Sequence, residues 1–67
     1  MKINYDKKTD ALYVRLSEET YKVSKKVTDN VLVDYSDSGK VVGIEILEAS
    51  KNISSIPKTK VSVAVNT

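Results

Sequence analysis

Six carboxylates, Asp6, Asp10, Asp34, Asp37, Glu45 and Glu48, are of the type that could hold a divalent cation or share a proton in acid–base work. None falls at ligand-loop spacing, and Asp37-Ser38-Gly39 lacks the acidic repeat of a calcium loop. Asp10, Asp34 and Asp37 sit at or near expected turns, where a short carboxylate bonds its own backbone, so their expected role is structural. A small metal-dependent hydrolase built on Asp10, Asp34 or Glu45 is therefore the weakest functional reading. No catalytic, cofactor-binding or metal-ligating residue is assigned, and no cofactor is implied.

Arg15 is the only arginine of the chain, central in one apolar run, and Glu45 is central in another. The pair could clamp an anion or face each other across a sheet. The cross-strand ion pair is the expectation, and it would contribute about 0.2–1 kcal/mol while fixing register. Tyr5, Tyr13, Tyr21 and Tyr35 could stack bases of a single strand. As the only aromatic residues, they are first needed as core or interface volume. Gly43, interrupting an apolar run, could mark the close approach of a ligand, but a bulge or a tightly packed neighbour backbone is the expectation.

The chain around these residues is 67 long, with 11 Lys+Arg against 9 Asp+Glu and a net charge of +2. It has neither Cys nor His, which excludes disulfides, thiolate chemistry, the usual zinc ligand sets and every His-based triad. So weak and scattered a positive charge does not favour a nucleic-acid groove. No secretion signal follows Met1-Lys2-Ile3, and the apolar runs are far below the roughly 20 residues that span a bilayer. A cytoplasmic protein without a membrane partner is expected, the lack of Cys agreeing.

Ten Val and five Ile against four Leu and three Ala point to strands. Alternation predicts them at Lys2–Asp6, Ala11–Leu16, Tyr21–Thr28, Val31–Ser36 and Val41–Leu47. The run from Tyr21 carries three lysines, as an edge strand does. Asp29-Asn30 and Asp37-Ser38-Gly39 are turns, and the Val31–Leu47 hairpin is the clearest local signal. Lys7-Lys8-Thr9-Asp10 joins the first two strands without a glycine, leaving its turn type open. A short helix is expected after Leu47, ended by Pro57, and then a C-terminal strand over 60–66. The expected fold is thus mostly β: one domain, 1–67, with a small antiparallel meander sheet of five to six strands and one short helical segment.

The strings Tyr5-Asp6, Asp10-Ala11-Leu12-Tyr13, Arg15-Leu16, Val33-Asp34-Tyr35 and Gly43-Ile44-Glu45-Ile46-Leu47 resemble, in order and spacing, a small bacterial and archaeal family of unknown function, number twenty-two eighty-three. The resemblance covers residues 2–51. It implies a compact, mostly antiparallel β domain without established activity. Some relatives look like neighbours of small toxin-like genes, which implies an antitoxin or partner-binding role.

The Ala11/Leu12 and Val41/Val42 pairs place apolar residues on both faces of their strands, so one face packs the core and the other needs cover. The functional expectation is a non-enzymatic interaction domain that forms a homo-oligomer or binds a small protein partner. Its alternative is a β domain binding single-stranded nucleic acid.

Overall fold

The computed structural model describes residues 1–54 and 61–62. Alternating residues form β1 (Lys2–Asp6), β2 (Ala11–Arg15), β3 (Tyr21–Thr28), β4 (Val31–Ser36) and β5 (Val41–Ile46). A single helical turn, α1 (Ala49–Asn52), follows, and β6 (Val61–Ser62) pairs with β1 through Lys2↔Ser62 and Ile3↔Val61. Residues 60 and 63–66 of the expected C-terminal strand, and Pro57, lie outside the described residues.

All pairings are antiparallel, in the order β3-β4-β5-β2-β1-β6. The expected meander is realised as two blocks, β1–β2 and β3–β4–β5, joined where β2 pairs with β5. Residues 16–20 therefore run along one end of the sheet, past β5 and β4, to the far edge. Their start is pinned by the Leu16 and Ser17 amides, which both donate to the Val42 carbonyl at 2.8 and 3.1 Å.

Each turn has its own chemistry. Asp10 closes the glycine-free β1–β2 connection by taking φ 53°, a left-handed conformation that short carboxylates tolerate. The Lys8 amide donates to the Asp6 carboxylate at 2.9 Å in the same turn. Gly39, at φ 86°, closes the expected β4–β5 turn, with its amide bonded to the Ser36 carbonyl at 2.9 Å.

Register sorts the side chains into two faces. On the apolar face, Tyr5, Leu12, Ile46 and Val31 form one row, and Ile3, Val14, Ile44 and Val33 the next. On the polar face, Asn4, Tyr13, Glu45 and Leu32 share a row beside Lys2, Arg15, Gly43, Asp34 and Ser24. The Val41/Val42 pair does not make β5 two-faced as expected. Tyr35 pairs with Val41 while Asp34 pairs with Gly43, so Val42 is the extra residue of a bulge. The bulge leaves Val42 fully buried and Val41 41% exposed.

Among the described residues only Leu12, Val42 and Ala49 are buried apolar side chains, and β3 is exposed along its whole length. The described residues form one sheet with one turn of helix at one end of it.

Candidate functional site

At the helix end of the sheet, Asp10 acts as a clasp. Its carbonyl accepts the Ala49 amide at 2.9 Å, and its carboxylate accepts Tyr5 Oη at 2.6 Å, the Ser50 amide at 3.1 Å and Ser50 Oγ at 2.7 Å. α1 has no local side-chain cap, because Glu48 before it is itself left-handed at φ 48°. Its N-terminal amides are satisfied instead by a residue forty positions earlier in the chain. The structural role expected for Asp10 is thus seen, with longer reach than a turn.

The Tyr5 hydroxyl and then the Ser50 hydroxyl hold the Asp10 carboxyl below its ordinary value, helped less by the Ser50 amide and Lys51, while burial opposes them. The hydrogen bond to Asp10 in turn holds the Tyr5 phenol above its ordinary value. A carboxyl depressed in the folded state stabilises the fold above its unfolded value, and that contribution is lost as pH falls through the folded value. Melting temperature is therefore expected to drop below about pH 4. Asp10→Asn should melt lower at pH 7 and lose part of that acid limb. An unchanged acid limb in thermal melts from pH 3 to 7 would show that the clasp carries no stability.

At the centre of the polar face, the Tyr13 ring lies directly on Gly43. A Cβ at position 43 would meet the Tyr13 hydroxyl and come within 2.6 Å of Cζ. What lies against Gly43 is therefore an aromatic ring crossing from the next strand and not the expected neighbour backbone, while the expected bulge falls beside it at Val42. Burial first, then hydrogen bonding with the Asp34 carboxylate, raises the Tyr13 phenol above its ordinary range. Asp34 is not at a turn, as expected, but inside β4 and 3% exposed. Ser24, its register partner on β3, donates a short hydrogen bond to it. That partner makes burial of a carboxylate tolerable.

The expected Arg15–Glu45 pair does not form. Arg15 stands opposite Gly43 and Glu45 opposite Tyr13, one row apart. The guanidinium turns to residues 16–20 instead, 3.8 Å from the Glu18 carboxylate and 3.3 and 3.4 Å from the Glu18 and Glu19 carbonyls. Asp37 pairs with Lys22 at 3.1 Å and Glu48 with Lys51 at 3.9 Å, both solvent-exposed. Asp34 and Glu45 share the polar face while Asp10 stands at the sheet end. Among the described residues no three acidic side chains group as metal donors.

The tyrosines divide between the faces: Tyr5 and Tyr35 lie with the aliphatic rows, Tyr13 and Tyr21 on the polar side. Tyr5 is held by Asp10, and the Lys25 ammonium stands 5.8 Å from the Tyr35 ring centroid.

The apolar face is open at the end opposite α1. Leu16 is 46% exposed, Val23 44% and Met1 42%, and the Lys2↔Arg15 register extended by one step sets Met1 opposite Leu16. Tyr35, paired with Val23, completes this end of the face. Behind it Ile3, Val14, Ile44 and Val33 are only half-buried. The side needing cover is therefore the aliphatic face itself, since its reverse is polar. Sequence reasoning missed this because it read the bulge at Val42 as alternation.

Among the described residues no helix is long and apolar enough to cross a membrane. No solved structure matches the chain. An uncharacterized protein of Methanocaldococcus jannaschii is 46% identical over 52 residues, which are 76% of this chain and 43% of that relative. The chain thus spans less than half of the curated relative it matches. Residues 2–50 match the family described as Protein of unknown function (DUF2283). With the matching strings lying in β1, β2, β4 and β5, which build the shared sheet, the chain belongs to the DUF2283 family.

Proposed function

We propose that this chain is a non-enzymatic, cytoplasmic protein-interaction domain whose docking surface is the open end of its apolar sheet face. The observation that carries the reading is a single-layer sheet whose aliphatic rows remain half-buried, with Met1, Leu16 and Val23 exposed at their margin. Burial stabilises by roughly 25 cal/mol per Å² of apolar surface, so a docked partner gains most at that margin. The polar face offers a shallow groove whose mixed lining, including Asp6, Arg15, Asp34 and Glu45, suits solvent better than one ligand charge.

A soluble paramagnetic probe tests the surface without knowledge of the partner. In a dilute sample, methyl signals of Leu16 and Val23 are expected to broaden strongly, those of Val14, Val33 and Ile44 partly, and that of Leu12 hardly at all. If Val14, Leu16, Val23, Val33 and Ile44 are all shielded in a chain shown to be monomeric, no docking face exists and the proposal fails.

A further inference from the structure

We infer that residues 20–29 form a tethered flap: β3 lifts off β4 as a unit, without unfolding the rest of the sheet, and bares the β4 edge. The inference is independent of what docks on the aliphatic face.

β3 is held by its ladder and by little burial. Among the described residues it has a neighbouring strand on one side only, and all eight of its residues are exposed. Its apolar side chains Tyr21, Val23 and Val27 are already 55, 44 and 62% exposed, so lifting the strand wets little further apolar surface. The register with β4 shifts between Tyr21 and Val23 and again between Lys26 and Thr28, which interrupts the ladder near both ends. Lys22 and Lys26 reach exposed partners, Asp37 at 3.1 Å and Asp29 at 3.6 Å, in pairs of the kind that add little stability. Lys25 stands 5.8 Å from the Tyr35 ring centroid. Lysines and bulges guard an edge against another chain. Here they also leave the guarding strand weakly attached.

The one polar side-chain bond from β3 into a buried group runs from Ser24 to Asp34. Asp34 is 3% exposed, and a buried carboxylate is costly. Lifting β3 breaks that bond but opens one side of the carboxylate to water, so part of the loss is offset.

Both ends of the segment are tied to the sheet by bonds outside the β3–β4 ladder. At the start, the Arg15 guanidinium lies 3.3 and 3.4 Å from the Glu18 and Glu19 carbonyls, and the Leu16 amide donates to the Val42 carbonyl at 2.8 Å. At the end, the Asn30 carbonyl accepts the Leu47 amide at 2.8 Å. The segment between can regain backbone freedom while its ends stay in place, which makes the opening local. Closed, the flap keeps the β4 edge from pairing with another chain. Open, it leaves Val33, Asp34 and Tyr35, the register partners of Lys25, Ser24 and Val23, on an unpaired edge.

Amide hydrogen exchange of the whole chain, followed by NMR and repeated in urea below the unfolding transition, tests this. After correction for intrinsic rates, amides bonded between β3 and β4 are expected to exchange at least about 100-fold faster than those between β2 and β5. Urea should accelerate them little, as a small opening requires. The Leu16 and Leu47 amides, which hold the two ends, should stay as protected as the β2–β5 set. Ser24→Ala leaves the Asp34 carboxylate without its donor and should speed β3–β4 exchange roughly tenfold, with β2–β5 exchange unchanged. If that variant unfolds, the pattern in the parent still decides. Equal protection across the sheet with one urea dependence for all amides overturns the flap, because β3 then opens only with the whole fold. Leu47 exchanging as fast as the β3 amides overturns it too, since the segment then has no tether at that end.

Discussion

Leu12→Ala is expected to cost about 2–5 kcal/mol, the range for removing a buried leucine from a site that cannot collapse. A 67-residue chain holds only roughly 3–10 kcal/mol in total, so the variant should be largely unfolded at room temperature or melt far below its parent. Leu12 is 6% exposed and sits on the central strand pair in the row with Tyr5, Ile46 and Val31. Val42 and Ala49 are the only other buried apolar side chains among the described residues, so little remains to compensate. Val27→Ala, at a position 62% exposed on β3, should stay within about 0.5 kcal/mol of the parent. Urea unfolding of both variants checks the contrast. Equal losses would mean that the thin core is misplaced.

Gly43→Ala carries the next largest effect, an expected loss of about 1–3 kcal/mol from overpacking. The added methyl would stand where the Tyr13 ring lies. The ring must therefore swing outward from the centre of the polar face. In a Tyr13→Ala background the same methyl has room. A double-mutant cycle should then give a coupling of about 1 kcal/mol or more. Additive losses in chemical denaturation would mean that the ring and the glycine do not touch in solution.

These residues also show how far the sequence is legible. The five main strands, the two Asx-type turns and the helix after β5 follow from period-two alternation and short polar interruptions, which are local signals. Register is not local. Arg15 and Glu45 look like partners because each is central in its strand, yet an offset of one row separates them and gives Arg15 to residues 16–20. The bulge at Val42 is likewise invisible to alternation, because an extra residue in an apolar run reads as a strand with two apolar faces. Asp10 was legible as a turn residue through its type. Its grip on Ser50, forty positions away, has no local trace. A glycine in one strand and a tyrosine in another, each beside a strongly alternating run, was the one available sign of the Tyr13–Gly43 crossing, and it required knowing that β2 and β5 are neighbours.

The low count of buried side chains and the guarded β3 edge bear on the same question, namely what completes the fold on its aliphatic side. Stability and association are linked here, since whatever docks on that side binds the folded chain and raises its melting temperature. Variants at the open margin, such as Leu16→Glu, should thus separate from those at Leu12: the first lowers association while keeping the sheet, the second removes the sheet itself.

The most direct measurement is the line broadening of methyl signals by a soluble paramagnetic probe in a dilute sample, since it reads which face stays open to solvent. The expected result is strong broadening at Leu16 and Val23, partial broadening at Val14, Val33 and Ile44, and almost none at Leu12. Shielding of Val14, Leu16, Val23, Val33 and Ile44 together in a chain shown to be monomeric would contradict a docking face on the aliphatic side.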